Sequence, residues 1–167
     1  MELYLIRHGI AADREVYASD EDRPLTDKGR QKMAKVAKRL HHQELRFDLI
    51  LTSPLIRAKQ TAAILQDAGL CSQVEEFPAL APDGDIHTWV QWLEEWRQQN
   101  TNSQSIALVG HQPDLGNWAE ILVWGKSQEK LVLKKAGMIG LTLPQQGIPI
   151  GQSLMFVLLS PKWLLYA

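Results

Sequence analysis

The sequence has a single cysteine, Cys71, in 167 residues. A lone thiol excludes an intramolecular disulfide and a multi-cysteine zinc site. Long apolar runs are missing too: no stretch approaches the roughly 18 residues needed to span a bilayer. The opening Leu3-Tyr4-Leu5-Ile6 is too short for the apolar core of a signal peptide. Nor is there an excess of one charge. The formal net charge is −1 at pH 7, so no global basic field gathers nucleic acid or anionic lipid. Affinity for phosphate has to come from a local cluster of cations. The balance of 45% apolar and 22% charged residues excludes a disordered chain. The length suits one domain over 1–167, since single cores run to about 100–200 residues. These features lead us to expect a soluble, cytoplasmic domain with no nucleic-acid or membrane partner.

Hydrophobic periodicity divides the chain into alternating elements. Leu3-Tyr4-Leu5-Ile6 reads as a buried strand that stops at Arg7-His8-Gly9. Residues Gly9 to Pro24 are polar without a clean period and read as a surface loop. Thr26 is placed to cap a helix whose stripe is Met33, Val36, Ala37 and Leu40. Leu49-Ile50-Leu51-Thr52 is the second strand, and Ser53-Pro54 signals a helix start with serine as cap. Leu55, Ala58, Ala62 and Leu65 line that helix, and Gly69 ends it.

A third helix is marked by Ile86, Trp89, Val90, Leu93 and Trp96. Ser105-Ile106-Ala107-Leu108-Val109 is a strand ending at Gly110-His111, and Pro113 opens the next helix. Two later strands, Ile139 to Leu143 and Leu154 to Leu159, are read as running antiparallel at one side. Strands alternating with helices predict a three-layer α/β/α sandwich with a mostly parallel mixed sheet.

Three strand ends carry unusual residues: Arg7-His8-Gly9, Ser53 to Arg57, and Gly110-His111. Parallel strands bring their carboxyl ends to one edge, where ligands bind in open α/β sheets. Arg7, His8, Arg57 and His111 are therefore expected at one site, with Arg57 about one turn into its helix. The residue types suit a phosphoryl group. A guanidinium is permanently charged and its fork grips two phosphate oxygens. A neutral imidazole nitrogen attacks phosphorus in line when its other nitrogen is held as N–H. A second, protonated histidine donates to a phosphoryl oxygen. No step in this scheme requires a metal or other cofactor.

Leu5-Ile6-Arg7-His8-Gly9, the stretch Thr52 to Ala62, and Val109-Gly110-His111 resemble the three signatures of the histidine phosphatase superfamily, which includes the phosphoglycerate mutases. Pro24-Leu25-Thr26 followed by Gly29 resembles the family's stretch before its first helix. The match runs in order along nearly the whole chain. The resemblance implies a phosphoglycerate mutase-like fold, a phosphoryl acceptor at His8, and a phosphate pocket of Arg7, Arg57 and His111. The short length and Leu80-Ala81-Pro82-Asp83-Gly84-Asp85 resemble the SixA-type phosphohistidine phosphatases, a branch without a large cap insertion. That branch has an arginine at the position of Arg23, which adds Arg23 as a phosphate or substrate contact.

One departure bears on substrate. Many family members carry a general acid in the region of 75–85, whereas Phe77-Pro78-Ala79-Leu80 holds no carboxylate in that setting. Asp83, Asp85 and Glu76 lie nearby and read as loop or cap residues. An alkoxide leaving group needs a proton; an imidazole leaving group can take its proton beforehand. The reading favours a phosphohistidine phosphatase acting on a phosphotransfer domain or phosphocarrier, with inorganic phosphate as product. Alternatives are a small-molecule phosphomonoesterase or phosphoglycerate mutase-like enzyme, and a non-catalytic phosphoprotein-binding module. Trp92 is an optional docking residue, and the tail Trp163 to Tyr166 has no assigned role.

Overall fold

A computed structural model describes residues 1–166. The strands are β1 (Glu2–Arg7), β2 (Leu49–Thr52), β3 (Val74–Glu76), β4 (Ser105–Gly110), β5 (Met138–Thr142) and β6 (Leu154–Leu159). The helices are α1 (Asp27–His42), α2 (Ile56–Asp67), α3 (Ile86–Gln99), α4 (Asp114–Trp124) and α5 (Pro161–Tyr166). All six strands form one sheet in the order β3-β2-β4-β1-β5-β6. The first four in that order are parallel, β5 runs antiparallel to β1, and β6 antiparallel to β5.

The central strands β1 and β4 are apolar almost throughout because both their faces are covered. Side chains alternate between two cores, as the period of two requires. Leu3, Leu5, Ile106 and Leu108 join Trp89 and Leu93 of α3 and Trp118 and Leu122 of α4. Tyr4, Ile6, Ala107 and Val109 join Met33 and Val36 of α1 and Ala62 and Leu65 of α2. Helices on both faces make the three layers. Burying one such leucine or isoleucine contributes about 1.5–3 kcal/mol, so the sheet is a rigid support for whatever its edge carries.

Helix boundaries follow local chemistry. Thr26 caps α1 by accepting the Gly29 N–H at 2.9 Å, and Gly69, at φ +79°, terminates α2. The start of α2 differs from expectation. The helix begins at Ile56 with Leu55 as cap, not at Pro54 with Ser53 as cap; the Ser53 hydroxyl still accepts the Leu55 N–H and also meets His111. Arg57 consequently stands in the first turn. Pro113 likewise caps α4 rather than opening it, and β5 starts and ends one residue earlier than read. The tail forms α5 and buries Leu164 in the core shared with α1, while Trp163 and Tyr166 are exposed. Trp92 is half-buried against Phe77 and Trp96.

Register fixes the site. Arg7 of β1 pairs with Gly110 of β4, and Thr52 of β2 pairs with Val109. The ladder continues past the strands, with the His8 N–H donating to the Gly110 carbonyl at 3.1 Å and the Ser53 N–H to the Val109 carbonyl at 2.9 Å. His8, Ser53 and His111 thus emerge within about one residue of the same level.

Candidate active site

His8 follows the last residue of β1 and is only 6% exposed. Its Nδ1 lies 2.7 Å from the Gly9 carbonyl. A carbonyl only accepts, so Nδ1 carries the proton and Nε2 keeps its lone pair. The Arg57 Nε–H donates to that Nε2 at 3.3 Å. Burial, joined by the charges of His111, Arg57 and Arg7, outweighs the Gly9 bond and pushes the His8 pKa down to about 3. His111 is 4% exposed, with its ring centroid 5.2 Å from that of His8. Its Nε2 is 2.7 Å from the Ser53 hydroxyl. Burial first, and then Arg57 and Arg7, bring its pKa to about 4. Both rings are therefore neutral at physiological pH.

Arg57 reaches the site from the first turn of α2. Thr61, one turn later, accepts the Gly9 N–H at 3.1 Å and donates to the Arg57 carbonyl at 2.8 Å, tying α2 to the loop after β1. That loop packs on α1, where a Cβ on Gly29 would stand 2.1 Å from the Ile10 carbonyl oxygen. No other residue admits this approach. Further along the loop, a short 3-10 turn at Asp20–Asp22 presents Asp20 to three arginines. Its carboxylate is 2.9 Å from Arg57 Nη2, 2.7 Å from Arg23 Nη2 and 3.4 Å from Arg14 Nε. Its carbonyl accepts from Arg57 Nη1 at 2.6 Å. Burial opposes ionisation of Asp20, but the hydrogen bonds from Arg57 and Arg23 and their charges win, and its pKa is lowered.

Arg7 donates from Nη1 to the Leu133 carbonyl at 2.9 Å. The loop bearing Leu133 is held by Glu120, a fully buried carboxylate on α4. Glu120 accepts the backbone N–H groups of Gln128, Lys130 (2.6 Å) and Leu131 (2.7 Å) and the Ser127 hydroxyl (3.2 Å). Burial works against its charge, yet these donors outweigh it and hold the carboxyl at about 2. Leu131 returns its carbonyl to Gln112 Nε2 at 2.8 Å, beside His111. The buried Nε of Arg7 and Nδ1 of His111 have no hydrogen-bond partner among the described residues.

Arg7, His8, Arg23, Arg57 and His111 line one cavity of about 340 Å³. With the site described, the comparisons are informative. The model of the histidine phosphatase superfamily (branch 1) matches residues 3–81. Phosphohistidine phosphatase SixA of Escherichia coli K12 is 33% identical over 120 residues, covering 70% of each chain. The chain belongs to the histidine phosphatase superfamily. An uncharacterized protein of Picosynechococcus sp. is 50% identical over 99% of both chains. The structure of the protein histidine phosphatase SixA complexed with tungstate superposes with a TM-score of 0.85 at 28% identity, covering 98% of this chain and 99% of that one.

In this superfamily member the cavity gathers all five residues expected from the strand ends and the Arg23 resemblance. It separates the three carboxylates considered as acids. Asp83 lines the cavity. Asp85 caps α3 by accepting the His87 N–H at 2.9 Å, and Glu76 is a surface partner of Lys59 at 3.1 Å. Asp20, Arg14 and Asp114 also line the cavity and were missed by sequence reasoning. Asp114 had a signal, since it follows Gly110-His111 at the start of a helix. Asp20 had none, because the loop's lack of period conceals which side chains turn inward. Among the described residues, no group of three or more His, Cys, Asp or Glu is placed to hold a metal ion, and no helix is long and apolar enough to cross a membrane.

Proposed function

We propose that this protein hydrolyses phosphohistidine on a signalling or phosphotransfer protein through a covalent intermediate on His8. The observation that carries the reading is the state of His8. It is buried and neutral, its proton is held on Nδ1 by the Gly9 carbonyl, and its Nε2 lone pair lies among Arg57, Arg7 and His111. A nucleophile needs that lone pair; a module that only binds phosphate needs only the cations.

In the first step Nε2 of His8 forms a bond to phosphorus as the phosphorus–nitrogen bond of the substrate breaks. The departing imidazole leaves with the proton it took up beforehand. Arg7 and Arg57 neutralise the equatorial oxygens. The Ser53 hydroxyl accepts the Leu55 N–H at 3.3 Å, which leaves its own proton for Nε2 of His111. The ring proton of His111 then sits on Nδ1, a donor for a phosphoryl oxygen. In the second step water attacks the phosphorus on His8, releases inorganic phosphate and restores the neutral ring. No metal is assigned to either step. Similarity to SixA, including a structure with a bound tungstate oxyanion, supports the same substrate class.

A second reading, hydrolysis of a small phosphate ester, is favoured by Asp114, a lining carboxyl whose pKa is raised by burial, the direction that a proton donor to an alkoxide requires. One experiment separates the readings. Phosphate release is followed from a histidine-phosphorylated phosphotransfer domain, an aryl phosphate and a sugar phosphate, with wild type and His8→Ala in parallel. Preference for the phosphohistidine domain, lost in the variant, supports the first reading. Preference for the esters replaces it with the second.

A further inference from the structure

Arg7 lines two cavities. One is the catalytic cavity, and the other is a neighbouring groove of about 530 Å³ whose walls carry Ile10 and four lysines, Lys32, Lys134, Lys135 and Lys162. Lys135 lines both, so the groove opens directly beside the site. The described residues provide no carboxylate within ion-pair distance of any of these lysines. The molecule as a whole carries a charge of only −1, which makes this concentration a local feature. Four ammonium groups held together without counter-charges repel one another, and an approaching anionic surface relieves that repulsion.

The groove and the catalytic cavity differ in charge: among the described residues the groove is lined by no carboxylate, and the cavity carries both signs. Asp83 and Asp114 line the catalytic cavity. A phosphorylated side chain that reaches His8 therefore enters a cavity holding both signs, beside a groove holding only one. The protein that bears it has to lie over the cavity mouth and the adjoining groove, which share Arg7 and Lys135.

We propose that the lysine-lined groove is the docking surface for an acidic face of the phosphohistidine-bearing protein, next to its phosphorylated residue. The proposal rests on the function given above. A folded protein can present carboxylates to the lysine side alone, and a neutral or basic patch to Asp83 and Asp114. A nucleic acid or an anionic membrane is negative throughout and meets those two carboxylates as well. Lysine heads are solvated and mobile, so the groove acts on encounter and orientation more than on the lifetime of the complex.

The test uses the triple variant Lys32→Glu/Lys134→Glu/Lys162→Glu, which leaves every residue lining the catalytic cavity in place. Substrates are free phosphohistidine and two histidine-phosphorylated phosphotransfer domains, one with an acidic surface beside its histidine and one with that surface neutralised. The variant is expected to lose about tenfold in kcat/KM on the acidic domain at low ionic strength. The loss shrinks as salt is added, and turnover of free phosphohistidine stays unchanged, which also shows that the variant is folded. Wild type is expected to prefer the acidic domain by a similar factor.

Turnover of both domains with equal efficiency, untouched by the three substitutions, overturns the docking proposal and leaves the function standing. If wild type turns over neither domain but hydrolyses esters, both fall. Binding of wild type to anionic vesicles or RNA that the variant loses, with domain kinetics unaffected, assigns the groove to those polyanions and also overturns the proposal.

Discussion

Lowering the pH is the sharpest physical probe of the two buried histidines. An ordinary histidine has a pKa of about 6.5, so near pH 5 only about 3% of it is neutral. At about 3 for His8 and about 4 for His111, nearly all of each ring stays neutral there, and His8 keeps the lone pair that the proposed mechanism uses. The same shifts enter the stability. Both folded-state values lie below the unfolded one, so the unfolded chain takes up protons first. The stability is fully present above about pH 6.5 and is lost as the pH falls, the loss saturating only below the folded values.

Between about pH 7.5 and about pH 5, each histidine costs about 2 kcal/mol by this linkage, and the pair about 4 kcal/mol, a large part of a typical 5–15 kcal/mol. Both side chains are buried, so solvent screening removes little of this. The carboxylates act in a lower window. The contribution of Glu120 is present above its ordinary value of 4.5 and lost as pH falls towards about 2. The assay is urea unfolding at the two pH values in phosphate-free buffer, for wild type and His8→Asn/His111→Asn, with an NMR titration of the ring carbons. Wild type is expected to lose about 4 kcal/mol more than the double variant. Ring resonances of His8 and His111 with midpoints near 6.5, or equal losses in the two proteins, would refute the reasoning.

Other outcomes follow from the same geometry. His8→Ala is expected to abolish turnover and the trapping of acid-labile phosphate on the protein; residual phosphoprotein in that variant would place the acceptor elsewhere. Asp20→Asn removes a carboxylate that shares Arg57 and Arg23 with an incoming phosphate, so orthophosphate is expected to bind about tenfold more tightly by calorimetry. Weaker binding would mean that Asp20 orients the arginines more than it competes for them. Glu120→Ala strands several backbone donors of the loop that carries Leu131 and Leu133. It is expected to lower Tm by several degrees and raise KM for phosphorylated substrates, because Arg7 and Gln112 lose their fixed acceptors. An unchanged KM would separate that loop from the site.

The core elements and the four strand-end residues were legible because each rests on a local pattern. Leu3 to Ile6 and Ser105 to Val109 are apolar without interruption, and the Met33-Val36-Ala37-Leu40 stripe has one helical reading. Positions set by distant partners were not legible. Ser53 is a good capping residue in isolation, and nothing local shows that its hydroxyl also meets His111, just past β4. Asp20 owes its place to Arg57 from α2 and to Arg23 in its own loop. Glu120 reads as a polar interruption of an apolar helix until the loop it satisfies is seen folded against α4.

The register that sets His8 beside His111 also bears on which changes in chain length the protein tolerates. Successive side chains of a strand point to opposite faces, so deleting one residue from β1 or β4 turns a histidine out of the cavity. The connection from Leu143 to Ser153 contributes nothing to the cavity. Gly147 within it is exposed, with open space around it. Insertions there leave all three strand ends facing the same cavity. The arrangement of these side chains belongs to the sheet edge and is independent of the length of that far connection.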